Sequence, residues 1–379
     1  MERLIYLDNS ATTKPCEEAV TAANSAMKDC FGNPSSLYGL GMQAENIVSD
    51  TRLAIADKLE CREDEIYFTS SGSESNNTAI FGVAEMLCRR GKHIVTTSIE
   101  HPSVLEPMKK LQSRGFEVTY LKPDSDGSIS ISSFENAIRK DTILVSCMAV
   151  NNETGAMLPV DGIKEIIKSA GSPALLHIDC VQAFGKIPVI PTDMGADLVT
   201  LSAHKIHGIK GAGALYVKKG LHLPAFILGG GQEKGLRSGT EAVPAIAAFG
   251  AAVKALPETS EAFKRVKELK AECIQKLLEF ENVVINSPEQ GLPYVLNFSF
   301  KGYRSETLLH HLERYGICVS SGSACSKGKG SYVLNEMGLS SDRVDSALRI
   351  SFSRYNEKQD VEELCKALNG ALSLKKSRN

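Results

Sequence analysis

Between residues 45 and 220 the apolar positions gather into short runs separated by stretches of helical texture. Seven runs stand out: 65–69 (EIYFT), 93–97 (HIVTT), 116–121 (FEVTYL), 142–150 (TILVSCMAV), 174–178 (ALLHI), 198–201 (LVTL) and 212–217 (AGALYV). They are rich in Val, Ile and Leu and run on rather than alternate, the pattern of strands buried on both faces. Helical patterns separate the first of them, one following the Ser/Gly turn at 70–73 to residue 89, another spanning 103–114. Alternating strands and helices need crossover connections, which predicts a mostly parallel sheet with helices on both sides. Beyond residue 255 the texture changes. A long amphipathic helix (258–280) leads to two β-like pieces (283–285, 294–300), a helix (306–315), a loop of small residues (320–330), a strand (348–352) and a last helix (357–373). This predicts a smaller α+β unit, with a frayed tail KKSRN. No internal repeat or low-complexity segment interrupts the chain.

Composition narrows the class. Of 379 residues 42% are hydrophobic and 23% charged, ordinary for a globular protein. Lys and Arg total 43 against 45 Asp and Glu, a net charge of −2, and no long basic run offers a footprint for nucleic acid or an anionic membrane. The first residues, MERLIYLDNSATT, provide only Leu4 to Leu7 as an apolar stretch, too short for a signal-peptide core, and no run approaches a membrane span. The ten cysteines include no Cys-x-x-Cys pair. They read as reduced thiols of a cytoplasmic protein, most of them packing residues, and no metal site is expected.

Four segments carry candidate chemistry. Ser202-Ala203-His204-Lys205 closes a buried strand and opens the glycine-rich IHGIKGAGALYV. A lysine there is either a paired structural charge or a Schiff-base lysine, with Ser202 and His204 suited to a phosphate. In HIDCVQ, Asp179 ends a strand where α/β sheets bind ligands, so it either caps a helix or pairs with a protonated ring nitrogen. The turn Ser70-Ser71-Gly72-Ser73 before a helix is a phosphate cradle or a capping box. In SSGSACSKGKG, small residues surround Cys325, and Lys327 and Lys329 favour its thiolate. Supporting positions are His101, which stacks on an aromatic cofactor or is a satisfied core histidine, the Asn152 segment, and Arg349, which binds a carboxylate bidentately or forms an ordinary ion pair. Arg237-Ser238-Gly239-Thr240 adds a charge and a hydroxyl in another glycine-rich loop.

Taken in order, these residues resemble the NifS/IscS-type cysteine desulfurases of the class V branch of pyridoxal phosphate (PLP) fold-type I enzymes. The likeness runs from LDNSATT (7–13) and FGNPSSLYG (31–39) through FTSSGSESNN (68–77), TTSIEHPSV (96–104), VNNETG (150–155), HIDCVQAFGK (177–186), LSAHKIHGIKGAGALYV (201–217) and GGGQEKGLRSGTEAVPAI (229–246) to SSGSACS (320–326) and LRISFSRYN (348–356). It implies an α/β fold with a mainly parallel seven-stranded sheet between helices, in a large PLP-binding domain at 15–255. A small α+β domain at 1–14 and 256–379 would carry the cysteine loop.

The resemblance also implies roles. Lys205 would hold PLP and then move protons, Asp179 would pair with the ring nitrogen, and Gln182 would reach the ring's phenolic oxygen with Asn152 nearby. His101 would stack on the ring. Gly72, Ser73, Ser202 and His204 would bind the phosphate, and Thr240 the phosphate of a neighbouring subunit, because the family's site lies at a homodimer interface. Arg349, helped by Asn33, would hold the carboxylate of L-cysteine. Cys325 would take the substrate sulfur as a persulfide, leaving alanine, and pass it to an acceptor protein such as an iron–sulfur scaffold or a thiolation enzyme. A selenocysteine or cystine lyase of the same fold is the alternative. The stretch SKGKG after Cys325 is shorter than in longer-looped members, which bears on loop reach and the choice of acceptor.

Overall fold

A computed structural model describes residues 3–321 and 330–376 of the chain. Its strands are β1 (Ile5–Tyr6), β2 (Ile66–Thr69), β3 (His93–Thr97), β4 (Glu117–Leu121), β5 (Thr142–Met148), β6 (Leu175–Asp179), β7 (Leu198–Ser202), β8 (Gly213–Val217), β9 (Val283–Ile285), β10 (Val295–Phe300), β11 (Ile317–Cys318) and β12 (Ala347–Ser351). All seven predicted runs of the first part are strands of one sheet, in the order β2-β8-β7-β6-β5-β3-β4. The pairs β7/β6, β6/β5, β5/β3 and β3/β4 are parallel. Only β8 runs against its neighbours β2 and β7. The sheet is thus the mainly parallel seven-stranded one expected, and the C-terminal ends of the other six strands lie along one edge.

The helices of the first part are α1 (Glu17–Lys28), α2 (Gly39–Leu59), α3 (Gly72–Leu87), α4 (Pro102–Ser113), α5 (Ile131–Ala137), α6 (Ile163–Ser169) and α7 (Val243–Lys254). Successive residues of a strand serve opposite faces of the sheet. Ile94, Leu144, Leu198 and Leu215 pack with Ile80, Val83, Val104 and Met108 of α3 and α4. Val95, Val145, Ile178 and Val199 belong to the core on the other face, with Ala23, Ile55 and Phe249 of α1, α2 and α7. Burial on both faces is why these strands read as continuous apolar runs rather than alternating ones.

Two histidines are threaded into the sheet itself. His177 of β6 bonds Ser146 of β5 at 2.9 Å and Thr200 of β7 at 3.0 Å. His93 of β3 bonds Thr142 at 2.8 Å and Thr119 at 2.9 Å. Buried imidazoles need such hydroxyl partners on both ring nitrogens.

The remainder holds α8 (Thr259–Leu277), α9 (Ser305–Glu313), α10 (Tyr332–Glu336), α11 (Ser341–Asp345) and α12 (Lys358–Lys376), with the antiparallel sheet β12-β10-β9. The start of the chain joins this part. β1 runs parallel to β11, the Ser351 N–H donates to the Leu7 carbonyl at 2.7 Å, and Asn9 donates to the Ser351 carbonyl at 2.8 Å. Among the described residues no helix is long and apolar enough to cross a membrane.

Candidate active site

A cavity of about 250 Å³ opens at the shared C-terminal edge of the strands. Five of these strand ends deliver parts of its wall. β6 ends in Asp179, β7 leads into Ser202, His204 and Lys205, β3 leads to His101, β5 to Asn152, and β2 to the turn that starts α3 at Gly72 and Ser73. β12 adds Arg349, and the chain start adds Ser10 and Ala11.

Asp179 is 6% exposed and firmly held. Its Oδ1 accepts the Val181 N–H at 2.9 Å and its Oδ2 accepts Asn76 Nδ2 at 2.8 Å. The same Asn76 nitrogen reaches Ser103 Oγ at 2.8 Å, and Ser103 Oγ lies 2.8 Å from His101 Nδ1. Helix α4 therefore starts on a histidine: His101 Nδ1 accepts the Ser103 N–H at 3.1 Å. Burial pushes the His101 pKa down, against the opposing pull of Asp179, so the ring is neutral with Nδ1 as acceptor and its proton on Nε2. Behind it, Glu100 is wholly buried and raised to about 8 by desolvation; it accepts Thr97 Oγ1 at 2.7 Å and the Met148 N–H at 2.9 Å.

Lys205 Nζ donates to the carbonyls of Ser10 and of Ala11, the latter at 2.8 Å. His204 Nδ1 lies 3.1 Å from Thr12 Oγ1, and burial brings its pKa down to about 4. Gln182 donates to the Ser10 carbonyl at 3.0 Å. Arg349, 2% exposed, donates from Nη2 to Asp8 at 2.7 Å and from Nη1 to the Asn152 carbonyl at 3.1 Å. It is no surface ion pair.

Several wall atoms are built to receive something. Ser202 Oγ, Asn152 Oδ1 and Arg349 Nε are buried without a hydrogen-bond partner among the described residues. Ser71 caps α3 through the Glu74 N–H, while the Gly72 and Ser73 N–H groups belong to the first turn, where no intrahelical acceptor exists. A Cβ on Gly72 would come within 2.8 Å of Val181 Cγ2, so glycine is needed to bring that turn against the floor. A helix N-terminus with hydroxyls for a phosphate, a carboxylate at one wall and a lysine at another form a donor set that fits PLP.

Not every expected residue meets here. Asn33 is exposed, its Oδ1 accepting the Ser35 N–H at 2.9 Å, and it does not line the cavity. Thr240 is likewise exposed and away from the wall. Arg237, in the same loop as Thr240, is tied to α3 by a 2.8 Å bond to Glu74. Cys325 lies outside the described residues. Ser10, Asn76, Ser103, Glu153 and Tyr332 were not singled out from sequence, though all line the cavity. Asn76 and Ser103 lie within motifs quoted above, but only the fold shows which member of each faces inward.

The aminotransferase class-V family profile matches residues 5–364. The chain belongs to the class-V aminotransferase family. Among its relatives, the cysteine desulfurase IscS of Dictyoglomus turgidum is 40% identical over 366 residues, covering 95% of this chain and 92% of that protein. The putative cysteine desulfurase IscS 1 of Bacillus subtilis is 40% identical over 374 residues, covering 97% of each. Of solved structures, a NifS-like protein superposes with a TM-score of 0.93 at 37% identity, covering 98% of this chain and 100% of that one. SspA in complex with cysteine superposes with a TM-score of 0.82 at 34% identity, covering 93% and 99%. PLP is the cofactor of this family, in agreement with the donor set of the cavity.

Proposed function

We propose that the protein is a PLP-dependent cysteine desulfurase, which converts L-cysteine to L-alanine and leaves the sulfur as a persulfide on Cys325. The observation that carries the reading is the convergence of Lys205, Asp179, His101 and Arg349 around one cavity, in a chain whose curated relatives are named for this activity.

Bound in this cavity, PLP supplies a conjugated ring that takes up the electron pair released at the substrate's α-carbon. The chain's own residues do the rest. Gly72, Ser73, Ser202 and His204 hold the phosphate, and Asp179, fixed by Asn76, keeps the ring nitrogen protonated. Arg349 binds the substrate carboxylate. The Lys205 amine anchors the cofactor and then carries the proton between substrate carbons, with neutral His101 assisting from Nε2. The Cys325 thiolate forms the S–S bond as the C–S bond of cysteine breaks, and a proton completes the methyl group of alanine.

We assign residues 15–255 to a large domain, and 1–14 with 256–379 to a small one, which the pairing of β1 with β11 supports. The site is completed in a homodimer. Phe31, Leu37 and Leu228 are 70%, 96% and 85% exposed, on the two segments that hold Asn33 and Thr240. The persulfide passes to an acceptor protein for iron–sulfur cluster assembly or thiolation.

The test is alanine and sulfide release from L-cysteine with PLP and a thiol reductant. Wild type should yield both products, Lys205→Ala neither, and Cys325→Ala no sulfide. Full activity of Cys325→Ala would remove the persulfide step and bring a direct lyase forward. The wild-type preparation should sediment at twice the chain mass.

A further inference from the structure

Gln182 is gripped at both ends. Its Nε2 donates to the Ser10 carbonyl at 3.0 Å, and its Oε1 accepts from Lys186 Nζ at 3.0 Å. A carbonyl can only accept, so a flipped amide would set two oxygens against each other at Ser10. The Ser10 carbonyl also receives Lys205 Nζ. One chain of contacts thus joins Lys186, Gln182, Ser10 and Lys205.

Lys186 is an unusual residue to bury. It is 7% exposed, and no carboxylate is paired with it among the described residues. Beyond Gln182 its neighbour is the Tyr294 ring, 5.9 Å from Nζ. An ammonium group with one neutral acceptor is costly to bury, and a hydrophobic residue of similar volume would be cheaper. Desolvation, helped by the nearby Lys205 charge, brings the Lys186 pKa down to about 7.

A second, small cavity of about 20 Å³ touches both lysines and is closed by His207, Tyr294 and Arg354. These groups, with His204, are the titratable surroundings of Lys186. His204 and His207 are held neutral by burial, each with a pKa of about 4, and burial raises Tyr294 to about 12. The other basic side chains that share this cavity with Lys186 are Lys205 and Arg354.

We propose that Lys186 is a positioning residue for the cofactor: by bonding Oε1 it turns the N–H edge of Gln182 toward Ser10 and the cavity, where that edge meets the ring oxygen of PLP. The proposal rests on the cofactor reading above and adds a residue to it. Lys186 does not touch the cofactor; it acts through Gln182. A hydrogen bond donated to the ring oxygen favours its ionised form, so losing that bond raises the pH at which the bound chromophore gives up its proton.

The test is a spectrophotometric pH titration of the PLP-loaded protein. Lys186→Met and Gln182→Ala should each move the midpoint up by about half to one unit, as expected for one lost hydrogen bond. The double variant should move no further than Gln182→Ala alone. If Lys186→Met does not fold, Lys186→Gln, too short to reach Oε1, is titrated instead and should show the same shift. An unmoved midpoint in a variant whose melting temperature has fallen would mean a merely structural lysine. A Lys186→Met shift that persists in full on top of Gln182→Ala would mean action through space, and either result overturns the proposal. A wild-type protein with no titrating visible band overturns the cofactor reading itself, and the proposal with it.

Discussion

Arg349 shows how much one side chain can be prepared in advance. Two of its nitrogens are engaged, by Asp8 and by the Asn152 carbonyl, and Nε remains without a partner. The guanidinium is therefore held flat and in place before any substrate carboxylate arrives. Lysine cannot reproduce this planar fork. Arg349→Lys should raise the KM for cysteine roughly 10- to 100-fold, the loss of one charged hydrogen bond, while PLP still binds; steady-state kinetics beside a PLP titration would check it. Arg349, Asp179 and Lys205 were legible in the sequence because few residue types can do their chemistry. Asn76 and Ser10 were not. A small amide and a backbone carbonyl carry no signature until the fold aims them at Asp179 and Lys205. The other thiols are quieter than their number suggests. Burial pushes up the pKa values of Cys16, Cys61, Cys147, Cys180, Cys273, Cys318 and Cys365, which keeps them protonated at neutral pH.

At the level of elements, the reversed strand β8 governs the phosphate corner. Its first residue, Gly213, stands opposite both Thr69 and Ser202. A Cβ there would lie 2.6 Å from the Ser71 carbonyl carbon and 2.8 Å from its oxygen, both backbone atoms that cannot swing aside. Gly213→Ala should displace the 70–73 turn and weaken PLP binding at least 10-fold, roughly the 1.4 kcal/mol of one tenfold step in affinity, readable by equilibrium dialysis against wild type. The strands of the large sheet were visible in the sequence to within a residue or two because all but the edge strand β4 are buried on both faces. Several helices were not. α7, VPAIAAFGAAVK, is apolar almost all round and carries no 3.6-residue stripe, since it is covered on several sides by α1, α2 and the core. α1 and α2 lie before β2, the first strand of the large sheet, so no crossover argument called for them. The reversal of β8 was equally hidden: a turn of glycines after Lys205 allows a hairpin, but nothing in its composition distinguishes that from a crossover.

For the molecule as a whole, acid should be a stronger threat than its net charge suggests. His177, His204 and His207 are each brought down to about 4, first by burial. An unfolded chain protonates them near 6.5, so between about pH 6.5 and 4 it binds protons that the fold refuses. That stability is present above pH 6.5 and is lost as pH falls. Glu100, raised to about 8, works in the opposite sense, since the fold keeps a proton that the unfolded chain releases above about 4.5. His93 and His101, also lowered by burial, add to the histidine side and buried Glu153, raised, to that of Glu100, so five groups against two leave the histidines dominant between pH 6.5 and 4.5. Urea midpoints should fall steadily on acidification from pH 7 to 5, and His177→Gln, if folded, should flatten that profile. The joining of the chain's two ends has a different kind of consequence, one of timing. Residues 5–11, which pair with β11 and offer their carbonyls to Lys205, leave a ribosome about 300 residues ahead of the strands they join. Their partners at 317–318 and 351 follow only after the whole large sheet. A nascent chain can lay down most of its large sheet early, yet its cavity stays open on one side until residues 317–351 have been made, so cofactor capture waits for them.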